Sequence, residues 1–339
     1  MTTAPSVPQP NPANIFDAIN AYQKSAALKA AIQLDIFTEI ARGSRSVDAI
    51  AKAAGASTRG IRILCDYLVI NGFLLKEGDR YSLSADSAMF LDRDSPACFG
   101  GTINFMLDPR LIAPYLNLEQ IVRTGTTTLP GEGTVSPDNP IWVEFAKHMA
   151  PMMYPTSLET AELVAGEGKT RVLDVAAGHG LFGIAIAKRN TSAQITALDW
   201  PNVLAVATAN AEKFGVADRH STLPGNAFEV ELGGPYDLVL VTNFLHHFDP
   251  PTCEKLMRKF LAALAPGGRC VTLDFVPNDD RVSPPTAAGF AMMMLGSTAA
   301  GDVYTFAEYE KMFRNAGFAS SELHSLNKSP ESLIVSRKA

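Results

Sequence analysis

Apolar residues in the first part of the chain recur every three or four positions, which is the spacing of helices that bury one face. In the first of these helices the apolar positions are Ile15, Phe16, Ile19, Tyr22, Ala26 and Ala30. Two shorter helices follow, and Ser46 and Ser57 stand where side chains cap a helix start. The segments 72–76 and 80–83 then flank a Glu-Gly-Asp turn, which indicates a two-stranded hairpin. Three helices and a hairpin predict a winged-helix-like domain over residues 14–105.

From Gly168 onward, short apolar runs rich in β-branched residues alternate with helical stretches. The predicted strands are 170–176, 194–198, 236–242, 268–276, 318–326 and 332–338, and the predicted helices are 183–189, 203–214 and 253–265. Strands that alternate with helices are typical of a parallel sheet covered on both faces. The last two strands, joined by a short turn, predict an antiparallel pair. The sequence therefore predicts an α/β fold, in which a Rossmann-like sheet with antiparallel C-terminal strands over residues 166–339 follows the mainly α first domain.

The residues between these regions, 106–165, are expected to form a helical connector. A loop rich in Gly, Pro and Thr over 124–140 leads into a helix that carries methionines and aromatic residues. These residues are Trp142, Phe145, Met149, Met152, Met153 and Tyr154. Such a stripe packs against a neighbouring domain, or it forms an adaptable pocket wall for a flat apolar ligand, because methionine is flexible. Both interpretations can hold on different faces of the helix.

Composition and charge limit the classes of protein to which this chain can belong. Of the 339 residues, 47% are hydrophobic and 19% are charged, which is ordinary for a globular protein. The net charge of −6 argues against a protein that coats nucleic acid or a membrane surface. Residues 1–100 hold ten basic and ten acidic residues, so the winged-helix pattern favours a packing or dimerisation module over a DNA reader.

The N-terminal residues and the cysteines bear on localisation and on metal binding. Residues 1–13 are rich in Pro and Thr, without the basic start and apolar core of a signal peptide, and are expected to be a disordered tail. No apolar run approaches the roughly 20 residues that span a bilayer. The four cysteines, Cys65, Cys98, Cys253 and Cys270, are scattered, which argues against a zinc site or a disulfide framework. We therefore expect a cytoplasmic protein without a metal.

The first predicted strand of the second domain ends in Leu173-Asp174-Val175-Ala176-Ala177-Gly178-His179-Gly180. Small residues let a ligand approach the backbone where a strand turns into a helix. The turn fits G-x-G-x-x-G over 178–183, a weak signal alone, and Asp199 follows about 20 residues later, where a carboxylate can bind ribose hydroxyls. NAD and S-adenosylmethionine both fit such a cradle. Asp174 favours S-adenosylmethionine, because a carboxylate inside the strand suits an ammonium and a sulfonium but has no role beside a pyrophosphate.

Five short motifs occur in the order and spacing of one family. They are L-D-V-A-A-G-H-G at 173–180, L-D-W-P at 198–201, P-G-N-A-F at 224–228, F-L-H-H-F-D at 244–249 and A-G-F at 316–318. From about Phe16 to its C-terminus the chain resembles the S-adenosylmethionine-dependent O-methyltransferases of the caffeic acid and hydroxyindole type. The resemblance implies a Rossmann-like catalytic domain preceded by a winged-helix dimerisation domain, with S-adenosylmethionine as the cofactor. The helices of residues 14–40 carry more apolar surface than a small domain buries, so a homodimer through this domain is expected.

The resemblance also implies a general base and its partners. The base of the family lies in a pattern close to L-H-D-W, which places His246 at the base position and His247 where the family has Asp. Because adjacent residues at a strand end point to opposite faces, only His246 is expected to face the acceptor. Asp274 stands where a carboxylate fixes the tautomer of the base and stabilises its charged form. This chain has Val303 at the position of the family's second carboxylate. Asp302 takes over that role only if the match is shifted by one residue.

The resemblance implies cofactor-binding residues at the turn, at two strand ends and in a loop. They are Asp174, Ala176, Ala177, Gly178, Gly180, Asp199, Trp200, Asn226, Ala227, Phe228 and Asn243. Asn226 replaces an adenine-contacting Asp and keeps a group that can hydrogen-bond an amino group. Ala176 replaces the first glycine of the turn, which is tolerable if its φ stays negative. The implied acceptor pocket is lined by Phe145, Met149, Met152, Met153, Phe290, Met293 and Met294.

The sequence therefore predicts a metal-independent O-methyltransferase that acts on a hydroxyl of a small aromatic acceptor, phenolic or polyketide-like. Three alternatives stay open. The first is a relative that methylates carbon or nitrogen, and the second is an NAD-dependent oxidoreductase that uses the same glycine turn. The third is a winged-helix regulator that senses a small ligand, against which the even charge balance of residues 1–100 argues.

Overall fold

The computed structural model describes residues 10–137 and 139–339. The chain divides into two compact units, one up to Ile103 and the other over Asn104–Ala339, and each has its own hydrophobic core. Of the tail predicted for residues 1–13, the first nine lie outside the described residues. The predicted α/β class, with a mainly α region before the sheet, is confirmed. No helix in the described part of the chain has the length and apolar character needed to cross a membrane.

The first unit contains the helices and the hairpin that the apolar spacing predicts. Its elements are α1 (Ala13–Gln33), α2 (Ile36–Ala41), α3 (Val47–Ala54), α4 (Thr58–Ile70), β1 (Leu74–Glu77), β2 (Arg80–Leu83) and α5 (Ala85–Phe90). The hydroxyls of Ser46 and Ser57 accept hydrogen bonds from the backbone N of Ala49 and Gly60, which fixes where α3 and α4 begin. Tyr81 on the hairpin is fully buried, so the hairpin belongs to the same core as the helices.

Helix α1 presents a row of large apolar side chains to solvent. Ile15, Phe16, Ile19 and Tyr22 are between 59% and 69% exposed, whereas Ala31 near the end of the helix is buried. Contiguous apolar side chains on a surface mark a contact with another protein. The row lies in the segment that the sequence analysis assigns to the dimer contact.

The second unit is a seven-stranded sheet with helices on both faces. Its elements are α6 (Ile103–Met106, which begins at the last residue of the first unit), α7 (Pro109–Ile112), α8 (Leu118–Thr124), α9 (Ile141–His148), α10 (Ala150–Val164), β3 (Thr170–Val175), α11 (Leu181–Arg189), β4 (Ala193–Asp199), α12 (Pro201–Lys213), β5 (His220–Pro224), β6 (Tyr236–Thr242), α13 (Pro250–Ala263), β7 (Leu264–Asp274), α14 (Pro285–Gly289), α15 (Ala291–Ser297), α16 (Phe306–Ala316), β8 (Ser320–Ser325) and β9 (Ser332–Arg337). The order is β5-β4-β3-β6-β7-β9-β8, with β3 to β7 parallel and β8 and β9 antiparallel to their neighbours. Strand β5 was not among the predicted strands, because it is mostly exposed and carries no apolar run.

The strand order places a crevice at one edge of the sheet. The chain runs outward from β3 to β5 and then returns to β6 on the other side of β3, so the loops after β3 and β6 diverge. Strand β9 runs against β7, with Ser332 opposite Asp274, so β9 begins where β7 ends. The ends of the parallel strands and the start of β9 therefore meet at the same edge.

The two faces of the sheet bury separate apolar clusters. Leu273 and Leu333 belong to the cluster that contains Met153 of α10, whereas Tyr309 of α16 belongs to the cluster on the other face. Strand side chains alternate between faces, so Asp274, next to Leu273, projects toward α16. Helices α9 and α10 thus cover one side of the crevice and α16 the other.

Candidate active site

A cavity of about 550 Å³ opens at this edge of the sheet, within the second unit. One end, the cofactor end, lies against the loops after β3, β4 and β5. The other, the acceptor end, lies against α9, α10, α14 and α15. Mainly apolar walls with a few polar groups at strand ends are typical of small-ligand sites.

The turn after β3 borders the cofactor end. Gly178 has a φ of +57°, and its backbone N donates to Oδ2 of Asp199 (2.8 Å), while the backbone N of Ala177 donates to the carbonyl of Leu198 (3.1 Å). The turn is thereby tied to the end of β4. Ala176 has a φ of +52°, so the condition under which the sequence analysis made an alanine tolerable here, a negative φ, is not met. A left-handed conformation costs a residue with a Cβ about 1–2 kcal/mol, and the hydrogen bonds of the turn offset that cost.

Asp199 is the polar group at the centre of the cofactor end. Its carboxylate accepts hydrogen bonds from the backbone N of Gly178 and, through Oδ1, of Trp200 (2.7 Å), and it lines the cavity. Burial raises the pKa of Asp199 to about 6, although these two hydrogen bonds act in the opposite direction. At neutral pH the residue presents a carboxylate to the cavity.

Asp174 and Gly180, both predicted to bind the cofactor, are outside the cavity lining. Asp174 is 1% exposed behind the turn, and its Oδ2 accepts a hydrogen bond from the backbone N of Gly183 in α11 (3.1 Å). Burial raises the pKa of Asp174 to about 7, and no described residue donates to its buried Oδ1. At Gly180 the φ is +73°, and an added Cβ would lie 3.0 Å from that of Ala207. Both residues therefore shape the turn from behind.

The other residues predicted for the cofactor all line the cavity. They are Ala176, Ala177, Gly178, Asp199, Trp200, Asn226, Ala227, Phe228 and Asn243. The side chain of Asn226 accepts a hydrogen bond from the backbone N of Phe228 (3.0 Å), and Lys259 fastens the same loop by donating to the carbonyl of Ala227 (2.9 Å). Asn243 follows β6 with a φ of +52°, and its buried Nδ2 has no hydrogen bond of normal geometry to a described residue.

His246 and Asp274 meet where β6 and β7 end. Nδ1 of His246 lies 2.6 Å from Oδ1 of Asp274, and both side chains are buried. The hydroxyl of Tyr309 donates to Oδ2 (2.8 Å) and the backbone N of Phe275 donates to Oδ1 (2.8 Å). A carboxylate at Nδ1 keeps the proton on that nitrogen and leaves Nε2 as an acceptor. His246 lines the cavity, so this arrangement suits the removal of a proton from a bound ligand.

His247 lies beside His246, and not on the opposite face. Leu245–His247 is a 3-10 turn, so the alternation of strand side chains does not apply, and the two imidazole centroids are 4.3 Å apart. Nδ1 of His247 donates to the carbonyl of Phe244 (3.1 Å). Burial, with a smaller effect of His246, lowers the pKa of His247 well below its ordinary value, so its ring is neutral. Both histidines line the cavity, and the prediction that they face apart is wrong.

Asp302 does not bring a second carboxylate to His246. Its side chain is 47% exposed, with Oδ1 accepting from the backbone N of Val303 (2.8 Å) and Oδ2 lying 3.7 Å from Nη1 of Arg281. Its backbone N, in contrast, donates to the carbonyl of His246 (2.9 Å). A Cβ on the preceding Gly301 would collide with that same carbonyl. This segment therefore holds the backbone of the base, while the carboxylate turns toward Arg281.

Aromatic rings enclose the two histidines at the acceptor end. Phe290 packs edge-on against His246 (5.0 Å between centroids) and stacks on Phe275 (4.0 Å). Trp142 packs edge-on against His247 (5.2 Å). The apolar surroundings limit access of water to both imidazoles.

All seven residues predicted for the acceptor line the cavity, and two of them, Phe145 and Met153, also contact His179 in the turn after β3. Met149 and Met153 also belong to the core cluster on the α10 face of the sheet, whereas Met152 is 43% exposed. Both interpretations of the methionine stripe thus hold at once, as packing and as a cavity wall.

Two polar residues of the site carry no local signal in the sequence. Glu331, 6% exposed, lines the cavity directly before β9, and Tyr309 supports Asp274 from α16. In the sequence, Glu331 is a single charged residue at the start of a strand, and Tyr309 occupies an ordinary apolar position of an amphipathic helix. Neither pattern indicates a functional site. In the described ranges, no group of three or more His, Cys, Asp or Glu side chains is placed to hold a metal ion.

Comparisons with known proteins identify the family. A family model of the O-methyltransferase domain matches residues 138–319, and a model of the O-methyltransferase dimerisation domain matches residues 16–93. The chain belongs to the O-methyltransferase family. It is an S-adenosylmethionine-dependent methyltransferase, which replaces the alternatives of an NAD-dependent oxidoreductase and a ligand-sensing regulator.

Individual proteins are similar over nearly the whole chain. A candidate O-methyltransferase from Nostoc punctiforme PCC 73102, of known crystal structure, is 50% identical with a TM-score of 0.95, covering 97% of this chain and 100% of that one. The 3-hydroxy-5-methyl-1-naphthoate 3-O-methyltransferase of Streptomyces sahachiroi is 29% identical over 90% of this chain and 89% of its own length. Human N-acetylserotonin methyltransferase, solved with S-adenosylmethionine, is 21% identical with a TM-score of 0.83, covering 99% of this chain and 100% of that one, and shows the same fold.

The residues at the cofactor end fit S-adenosylmethionine. Asp199 offers a carboxylate of the kind that binds a ribose diol, and the small residues over 176–178 leave the backbone open to a ligand. Trp200 and Phe228 offer aromatic surface. The unpaired Nδ2 of Asn243 is a buried donor that a bound group would satisfy.

Proposed function

We propose that this protein methylates a hydroxyl of a small aromatic, polyketide-like acceptor, with His246 as the general base. The observation that carries the proposal is the buried hydrogen bond between His246 and Asp274 at the wall of a largely apolar cavity. The naphthoate substrate named for the Streptomyces relative supports an acceptor of fused aromatic rings.

The cofactor would lie at the cofactor end of the cavity. Asp199 would bind the ribose hydroxyls, Trp200 and Phe228 would enclose the adenine ring, and Asn226 would hydrogen-bond its amino group. S-adenosylmethionine, when bound, supplies an electrophilic methyl group on a positively charged sulfur. Asp174 and Gly180 would contribute indirectly, because they keep the turn after β3 in shape.

His246 would accept the proton of the acceptor hydroxyl at Nε2. A phenol has a pKa near 10 and a histidine one near 6.5, so complete proton transfer in advance would cost about 5 kcal/mol. Asp274 lowers this cost, because its carboxylate stabilises the imidazolium through Nδ1, and Tyr309 holds Asp274 in place. We therefore expect proton transfer to accompany bond formation at the acceptor oxygen.

The remaining contribution of the chain is orientation. Phe290, Phe275 and the methionines would hold a flat ring with its hydroxyl toward His246 and keep water away from the reacting oxygen. Gly301 and the backbone N of Asp302 would keep the base from moving, since they fix its carbonyl.

We also propose that the protein acts as a homodimer through its first unit. The match to the dimerisation domain and the exposed apolar row of α1 support this assembly. Light scattering at micromolar concentration should give the mass of two chains, and a monomeric mass would contradict the proposal.

Mass spectrometry and NMR of reaction mixtures test the reaction itself. Purified protein is incubated with S-adenosylmethionine and a panel of naphthols and hydroxynaphthoates, and a product with one added methyl group, carrying the NMR signal of a methoxy group, is expected. A methyl group found on carbon or nitrogen would replace the O-methylation by the alternative reaction. Failure to methylate any member of the panel would contradict the acceptor class.

A further inference from the structure

Glu331 occupies the sheet edge beside the His246–Asp274 pair. Because Ser332 pairs with Asp274 across β9 and β7, Glu331 lies one residue beyond that pair at the start of β9. Alternation along the strand places Glu331 on the face of Leu333, opposite to that of Asp274. Leu333 belongs to the cluster that includes Met149 and Met153 of the cavity wall. Glu331 is therefore a cavity-lining group close to the base, reached from a different strand.

The carboxyl of Glu331 is buried at the cavity wall, with two polar side chains beside it. Oε2 accepts a hydrogen bond from the hydroxyl of Ser329 (2.6 Å), and the side chain of Asn243 is the other donor beside the carboxyl. The amide of Asn243 faces this carboxyl, and its own Nδ2 has no hydrogen bond of normal geometry to a described residue. Burial raises the pKa of Glu331, whereas the hydrogen bonds from Ser329 and Asn243 act in the opposite direction. We call Asn243, Ser329 and Glu331 the polar corner.

The need to hold the neighbouring loop does not account for this carboxyl. Glu159 already fastens that loop, since its carboxylate accepts hydrogen bonds from the backbone N of Asn327 (2.7 Å) and of Lys328 (2.9 Å). Lys328 also lines the cavity, but within the described part of the chain it forms no ion pair with Glu331. A carboxylate has about four lone-pair sites, so this buried carboxyl can accept a further hydrogen bond, and a ligand that brings a donor gains a favourable contact there.

We propose that Glu331 determines acceptor specificity by accepting a hydrogen bond from a second donor group of the acceptor, separate from the hydroxyl that faces His246. The proposal rests on the proposed function, and it specifies the substrate class: an aromatic ring system with two hydroxyls, or with one hydroxyl and one amino group. A site built to hydrogen-bond a substrate hydroxyl rejects the analogue that lacks it, because its own polar group is then left unpaired.

Binding measurements with matched acceptors test this inference. Calorimetry on the protein loaded with S-adenosylhomocysteine compares each of several dihydroxynaphthalene isomers with its monohydroxy counterpart. The native protein should bind at least one dihydroxy isomer about tenfold more tightly than the naphthol. In Glu331→Gln and Glu331→Leu this preference should fall below about threefold, while the affinity for the naphthol stays within twofold. Glu159→Gln is the control, which should lower the unfolding temperature but keep the preference.

Each outcome decides between the two proposals. Equal affinity of the native protein for every dihydroxy isomer and its naphthol, or a preference that survives both Glu331 substitutions, would overturn the role of Glu331. A preference that depends on Glu331 without any O-methyl product would retain the binding role and overturn the proposed reaction. If neither kind of acceptor binds, both proposals are wrong.

Discussion

Backbone atoms and strand ends form the cofactor end of the cavity, whereas side chains from several helices form the acceptor end. At the cofactor end, Gly178 and Asp199 are fixed by hydrogen bonds within one short turn and the next strand. At the acceptor end, Phe290, Trp142 and the methionines come from segments far apart in the chain. The difference implies that one end is rigid and specified locally, while the other can change its shape through rotation of its side chains.

The largest effect is expected at the acceptor end, where two adjacent histidines face the same cavity. His246→Asn keeps size and polarity but removes the proton acceptor, so turnover of an accepted phenol should fall about 10²–10⁴-fold. His247→Asn should cost far less, because its ring is neutral and its Nδ1 pairs with a backbone carbonyl and not with a carboxylate. The affinity of each variant for S-adenosylhomocysteine is the folding control. Equal losses, or a larger loss for His247→Asn, would contradict the assignment of the base.

The next largest effect on turnover is expected for Asp274 and Tyr309, which support the base. Asp274→Asn removes the charge that stabilises the imidazolium and allows the wrong tautomer, so turnover should fall at least about 10²-fold with little change in acceptor affinity. Tyr309→Phe removes only one hydrogen bond to that carboxylate, worth about 1 kcal/mol, so turnover should fall several-fold. Steady-state kinetics separates kcat from KM for both variants. A loss confined to KM would show that the pair binds acceptor and does not assist proton transfer.

A smaller effect, confined to the cofactor end, is expected for Asp199→Ala. Loss of the carboxylate leaves ribose hydroxyls unpaired and should weaken binding of S-adenosylhomocysteine by about 1–3 kcal/mol. Calorimetry measures the affinity, and the unfolding temperature shows whether the turn is intact. Unchanged affinity would remove Asp199 from the site and with it the distinction between the two ends.

The smallest effect on binding is expected for Asp174, which lies behind the turn. Asp174→Asn keeps an oxygen for the backbone N of Gly183, so affinity for S-adenosylhomocysteine should change less than about threefold. A tenfold loss would place Asp174 in the cofactor site, as the sequence alone suggests.

The same variant should change how stability depends on pH. Burial raises the pKa of Asp174 to about 7 in the folded chain, against an ordinary value of 3.8. Between these values the folded chain binds a proton that the unfolded chain has released, so this residue makes stability decrease as the pH rises from about 4 to 7. Unfolding temperatures of the ligand-free proteins at pH 5 and pH 7.5 should differ less in Asp174→Asn than in the native chain. An identical difference would show that Asp174 does not carry the buried proton.

Features with a local pattern could be predicted from the sequence. The caps at Ser46 and Ser57, the parallel strands and the glycine turn each depend on residues within one short segment. The stripe of methionines at helical spacing indicated a pocket wall in the same way, and the structure places it there.

Features that depend on pairing or on local backbone geometry could not be predicted. Glu331 reaches the cavity because β9 runs antiparallel to β7, and Tyr309 reaches Asp274 because α16 packs on that face of the sheet. His247 lies beside His246 because Leu245–His247 forms a 3-10 turn. The spacing of residues in the sequence does not distinguish such a turn from the end of a strand.

The way in which the backbone of His246 is held has a consequence for library design. Gly301 leaves no room for a side chain beside the carbonyl of His246, and the adjacent backbone N of Asp302 hydrogen-bonds that carbonyl. Substitutions at Gly301 would therefore displace the base in nearly every variant. Gly301 does not line the cavity, so its distance from the ligand gives no warning of this effect. Asp302 can be substituted without loss of this contact, since only its backbone N hydrogen-bonds the carbonyl of His246. Diversity aimed at new acceptors is better placed at Met152 and Met293, where the wall is flexible and no backbone contact of the base is at stake.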